Sequence, residues 1–224
     1  MGNETYPIGK GEGLGAAQLS VHAPEQYRAA RLVDQLFSCV WRRKAYHLLA
    51  GSLLAAGTLM LDTQWFAALC LCWLALFGII SRRISTAVLG LLLLAMLTSD
   101  QLTTFGAALV FVVGDGVATL AGTAFGETKL PWHDQKSVVG SLAFLAAASL
   151  AMVAALPGLI DCSPLQLALL AGLPSLAGCL AEALPFALVR DVRDGQPDDN
   201  LLVLLSSGAV LHWLIRLLHV GASP

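Results

Sequence analysis

Charge is what this chain has least of: 12% of its 224 residues are Asp, Glu, Lys or Arg, about half the share in an ordinary soluble domain. Together with 57% hydrophobic residues and a mean hydropathy of +0.73, that scarcity excludes a water-soluble enzyme and points to a bilayer. Zinc-ligand spacing is absent. The five cysteines make no disulfide framework, because Cys70, Cys72 and Cys179 sit in apolar segments while Cys39 and Cys162 fall on opposite sides of the expected membrane. No internal repeat marks a transporter built from inverted halves. An early apolar core is also missing, and with Glu4, Glu12 and Glu25 in its place a signal peptide is not expected. Nor is a nucleic-acid partner.

What is present is a series of seven apolar segments: His47 to Leu61, Trp65 to Ile80, Ile84 to Ser99, Leu102 to Phe125, Val138 to Ile160, Leu165 to Val189 and Leu201 to Val220. A spanning helix needs about 20 apolar residues, which the last four segments supply and the first three do not. The expected fold is therefore all-α, a polytopic integral membrane protein of about seven transmembrane helices. Residues 1–40 form a polar N-terminal segment, with Tyr27 to Phe37 readable as a short amphipathic helix, and residues 41–224 form the membrane domain. Lys and Arg collect in cytoplasmic loops. Here Arg42, Arg43 and Lys44, then Arg82 and Arg83, Lys129 and Lys136, and Arg190 and Arg193 alternate with loops whose only charges are Asp62, Asp100 and Asp161. That bias puts the N-terminus in the cytoplasm.

Polar residues inside apolar segments are costly and normally face the bundle interior or a wet cavity. Asp115, Glu182, Asp199, Lys44 and His47 all fall at or toward the cytoplasmic ends of their segments, so one inner pocket is expected to hold them. Helical spacing supports this: Gly114, Ala118 and Ala121 form a small-residue strip beside Asp115 and Gly122, Lys44 shares a face with His47 and Gly51, and Glu182 shares one with Ser175 and Gly178. The stretch from Gly114 to Ser141 adds phosphate chemistry. A helix starting at Ser137 offers a capping hydroxyl and a dipole that favours an anion, Gly140 permits close approach, and Lys129 and Lys136 neutralise phosphate. Asp115 with a second carboxylate suits Mg²⁺, which usually takes one or two carboxylates plus phosphate oxygens.

These residues resemble the CTP-dependent lipid-alcohol kinases: dolichol kinase, phytol kinase and the yeast-type CTP-dependent diacylglycerol kinase. The resemblance runs through Arg43-Lys44-x-x-His47 with Gly51, Gly114-Asp115 with Ala118, Gly122, Gly126 and Lys129, Lys136-Ser137 with Gly140-Ser141, and Glu182 with Asp199-Asn200. No single piece is specific, but their order and spacing together are. The chain departs from the pattern at Thr123, Val139 and Leu204, where the family commonly has Arg, Glu and Pro. Loss of the carboxylate at Val139 leaves Glu127 or Asp134 as its substitute in a metal scheme.

The resemblance implies transfer of the γ-phosphoryl group from CTP, with Mg²⁺, to the hydroxyl of a membrane lipid or isoprenoid alcohol. Asp115 becomes metal ligand or base, with Lys44 and His47 beside it in the catalytic group. Arg43, Gly122, Gly126, Lys129, Lys136, Ser137, Gly140, Ser141 and Asn200 become nucleotide contacts, and Glu182 and Asp199 further metal ligands. The expected place is a bacterial inner membrane with the site facing the cytoplasm. Three rivals remain. A phosphatidate cytidylyltransferase shares the Gly-Asp and Lys-Ser regions but has a His-Gly-Gly motif missing here. A CDP-alcohol phosphatidyltransferase needs an Asp-Gly-x-x-Ala-Arg run followed by two more spaced aspartates, and Asp115-Gly116-Val117-Ala118-Thr119 lacks both the Arg and the later pair. A non-enzymatic carrier would use Asp115 and Glu182 as ion sites.

Overall fold

The computed structural model describes Trp41, Lys44, Ala45 and residues 47–77, 82–184, 189–190 and 197–220. Sequence expectations for Arg42, Arg43, Arg193 and the segment 1–40 lie outside them. With the exception of Trp41, the described residues belong to one compact unit, Arg43–Pro224.

Each of the seven apolar segments contains a helix. They are α1 (His47–Met60), α2 (Thr63–Phe77), α3 (Arg82–Thr98), α4 (Gln101–Phe125), α5 (Val138–Ala155), α6 (Pro164–Ala183) and α7 (Asn200–Leu217). Four of them, α4 to α7, are long and apolar enough to cross a membrane, with α5 extended to Gly158 by a 3-10 turn. The shorter α1, α2 and α3 are apolar as well. This is a helical membrane architecture, with two small departures from all-α. A hairpin of β1 (Lys129–Leu130) and β2 (His133–Ser137) joins α4 to α5, and a second of β3 (Val189–Arg190) and β4 (Pro197–Asp198) lies between α6 and α7.

Local chemistry starts α4 and α6. Asp100 caps α4 by accepting from the Leu102 amide. Ser163 and Gln166 cap each other's backbone at α6, with Pro164 at its first position. The apolar run Leu165 to Val189 was expected to be one element, yet α6 stops at Ala183. Leu184 is extended, at φ −73° and ψ 144°, because Pro185 follows it and the residue before a proline is forced out of the helical region.

At the centre is α4, which packs against α3, α5, α6 and α7 and has half of its apolar window buried, against 22% for α5. The core includes Phe144, Met152, Leu170, Leu204 and Leu211, all fully buried. Large apolar side chains on the outside, such as Met60, Leu76, Leu97 and Leu165, are each more than 70% exposed. A solvated protein would not keep so many, whereas hydrocarbon accepts them. Exposed Trp65 and Trp213 sit near one end of the bundle and exposed Trp132 near the other, the positions of aromatic belts.

Close backbone approach sets α1 against α4. A Cβ on Gly51 would stand 2.4 Å from Val112 Cγ2, and one on Gly116 would stand 2.7 Å from Leu48 Cδ2. Small residues of this kind hold helices together in lipid, where apolar burial gives no net drive. Thr128 and Gln64, both exposed, mark opposite ends. With the five natural cysteines replaced, an impermeant thiol reagent on intact cells is expected to label a cysteine at Gln64 and spare one at Thr128. Labelling at Thr128 instead would reverse the orientation.

Candidate functional site

One end of the bundle gathers the N-terminus of α1, the C-termini of α4 and α6 and the N-termini of α5 and α7 around a cavity of about 1420 Å³. Lys44, His47, Asp115, Gly122, Gly126, Lys129, Lys136, Ser137, Gly140, Ser141, Glu182, Asp199 and Asn200 all line it. Of the residues expected to form the site, only Arg43 is not placed, because it lies outside the described residues.

Two ionic clusters divide the polar wall. In the first, Lys44 Nζ donates to Asp115 Oδ2 at 2.6 Å and His47 Nε2 lies 3.4 Å from the same oxygen. The His47 ring is braced edge-on by Phe111, with centroids 5.2 Å apart, and the Thr119 hydroxyl reaches the other carboxylate oxygen at 3.5 Å. In the second cluster, Lys136 Nζ donates to Glu182 Oε1 at 2.5 Å and to Asp199 Oδ2 at 2.7 Å. Burial works to lower the Lys136 ammonium, but the Asp199 and Glu182 carboxylates facing it outweigh that and hold it above the ordinary lysine value. Lys136 was expected to bind phosphate directly, and in this structure it joins two carboxylates.

The glycines also do something different from what their spacing suggested. A Cβ on Gly126 would stand 2.2 Å from the Gly122 carbonyl oxygen and 2.5 Å from Ser137 Oγ. One on Gly140 would meet the Ala118 carbonyl oxygen and Ser137 Oγ, each at 3.1 Å. Gly122, Gly126 and Gly140 therefore let the start of α5 dock on the end of α4. Ser137 is the N-cap of α5, as expected, and accepts from the Gly140 amide at 3.1 Å. The Val138 amide donates to the Thr128 carbonyl at 3.0 Å, so two of the first three amides of α5 are engaged within the protein. That weakens the expected anion site at this helix start and shifts the weight to side chains.

Two buried groups are left over. The Oε2 of Glu182 and the hydroxyl of Ser141 have no hydrogen-bond partner among the described residues, and both residues line the cavity. Glu182 is 5% exposed, and so buried a carboxylate oxygen normally has a partner. Of the expected metal ligands, Glu182 and Asp199 are brought together, while Asp115 belongs to the Lys44 cluster. Among the described residues no three His, Cys, Asp or Glu side chains stand ready as a ligand set. Val139 carries no carboxylate, Glu127 lines the cavity, and the Asp134 side chain lies outside the described residues.

Sequence reasoning missed the hairpin's part in the site. The Trp132 indole donates to the Ala183 carbonyl at 2.9 Å, which ties β1–β2 to the end of α6, and His133 and Gln135 join the lining. It also missed an apolar arm of the same cavity, formed by residues of α1 to α4 such as Leu54, Cys70, Val88 and Leu91. The hairpin had a signal in its Pro131-Trp132 turn. The arm had none, since each of its residues reads like any other in a membrane helix. No family model, no curated protein and no solved structure matches this chain.

Proposed function

We propose that this protein is a membrane phosphotransferase that moves the γ-phosphoryl group of a nucleotide, CTP by resemblance, onto the hydroxyl of a lipid or isoprenoid alcohol. One observation carries the reading: a single cavity joins lysines and polar groups without partners among the described residues, at its ionic end, to an apolar arm between helices, which suits a nucleotide at one end and a hydrocarbon chain at the other.

In this scheme Asp115 accepts a hydrogen bond from the acceptor hydroxyl and takes its proton as the hydroxyl oxygen bonds to the γ-phosphorus. The bond between that phosphorus and its bridging oxygen breaks, and the nucleoside diphosphate leaves. Lys44 and His47 keep the Asp115 carboxylate aimed and charged, and positioning plus charge stabilisation supply most of the acceleration in such reactions. Lys129 and the hydroxyl of Ser141 contact phosphate oxygens, while Asn200 and Ser137 shape the wall beside them. Glu182 and Asp199 fit Mg²⁺ arriving with the nucleotide, because the Glu182 Oε2 is buried without a partner among the described residues and this ion takes one or two carboxylates plus phosphate oxygens. When bound, it neutralises charge on the β- and γ-phosphates.

Purified protein in liposomes, given γ-labelled CTP, Mg²⁺ and a panel of phytol, farnesol, geranylgeraniol, polyprenol and diacylglycerol, is expected to label one lipid class. Label on the α-phosphate stays in the nucleotide. Passage of α-label into phosphatidate would favour a cytidylyltransferase, and the absence of any transfer by folded protein would favour a carrier.

A further inference from the structure

We infer that the apolar arm is a binding site for one hydrocarbon chain, which reaches it sideways from the lipid between α1 and α2. The inference rests on the alcohol-acceptor reading and narrows it to single-chain alcohols, excluding acceptors that carry two acyl chains.

The arm continues directly from the ionic end. Descending α4, the lining passes from Asp115 through Phe111 to Ala108, seven residues or about 10 Å of helix. Descending α1, it passes from His47 to Leu54 over the same distance. Among the described residues, no charged one lines the cavity below the level of Asp115 and His47. A hydroxyl placed at Asp115 therefore has only apolar surface beneath it for its chain.

The arm also has an outlet. Leu53, Leu69 and Trp73 line the cavity and are 68%, 51% and 40% exposed. Exposed apolar side chains in the middle of membrane helices face acyl chains, so these three mark a gap between α1 and α2 where the cavity meets the lipid. Among the described residues, everything apolar that lines the cavity below Asp115 belongs to α1 to α4, and its exposed large side chains all belong to α1 and α2, so the arm meets the lipid at one place. A lipid with two chains on one headgroup would have to thread both through it or leave one across the polar wall.

The natural Cys70 thiol, 1% exposed and part of the arm wall, offers a reporter, with the exposed Cys72 as its lipid-facing control. Photolysis of a long-chain primary alcohol bearing a terminal diazirine, in liposomes and without nucleotide, is expected to leave adducts concentrated on Leu54, Cys70 and Leu91. Geranylgeraniol in excess suppresses them at least tenfold, and diacylglycerol does not. Ala87→Phe, at a half-buried arm position, is expected to reduce them by a similar factor. The adduct map of the unaltered protein decides the matter even if that variant does not fold. Adducts spread over the outer faces of α5 and α7, or equal suppression by diacylglycerol, would overturn the arm. Because no nucleotide is used, arm adducts without phosphoryl transfer would retire the kinase reading alone. Transfer without arm adducts would retire this inference alone.

Discussion

Asp115→Asn is expected to lower kcat by on the order of 10² or more, the usual contribution of a positioned proton acceptor. The substitution keeps the shape and hydrogen bonding of the side chain and removes only its charge and basicity. It also leaves the Lys44 ammonium, 2.6 Å away, without a counter-charge, so some stability is lost with it. Lys44→Met separates the two effects, since it breaks the same pair and keeps the carboxylate. If Asp115 takes the proton, Asp115→Asn loses far more turnover than Lys44→Met, and the acidic limb of its kcat/KM profile disappears. Equal losses in the two variants would reduce Asp115 to half of a structural pair, and near-normal turnover by Asp115→Asn would remove it from the chemistry.

The second large effect is on stability. Lys136→Met leaves Glu182 and Asp199, both drawn to one ammonium within 2.7 Å, without the ammonium that lies between them. Removing one partner of a buried ion pair costs about 3–5 kcal/mol, and Lys136 is three-quarters buried. Thermal unfolding in detergent is expected to show a markedly lower Tm for Lys136→Met, with partial recovery in the double variant Lys136→Met, Glu182→Gln. The pH behaviour follows from the direction of the lysine shift. A folded-state value raised above the ordinary 10.5 gives a stabilisation fully present below that value and lost only as pH rises through the folded one. The Lys136 charge, and this contribution with it, therefore persists as pH rises through the neutral range to about pH 9. A parent whose Tm fell steeply across that range, or a Lys136→Met variant as stable as the parent, would contradict the pairing.

Much of the helical plan was legible because it is written in the lengths of apolar runs, and lipid imposes those lengths. Even the early stop of α6 had its sign in Pro185. What could not be read was pairing across long separations. Lys136 meets Glu182 and Asp199, 46 and 63 residues away, and nothing local distinguishes a lysine that holds carboxylates from one that holds phosphate. The same limit applied to glycine. Gly122, Gly126 and Gly140 look alike whether the backbone must come close to a ligand or to another helix, and only the position of Ser137 against α4 separates the cases. The members of the site were legible as a set because costly polar groups in apolar segments are few. Their internal connections depended on the fold.

The Lys136 cluster also implies an order of synthesis. The β1–β2 hairpin leaves the ribosome after α4 and before α5, carrying Lys136 with neither of its partners yet made. Glu182 arrives near the end of α6 and Asp199 at the threshold of α7. Until then the hairpin carries Lys129 and Lys136 without the carboxylates of α6 and α7 beside them. Afterwards the same charge is drawn into the wall of the finished site. The tie between the hairpin, α6 and α7 is thus completed last, and a chain released before α7 would leave it open.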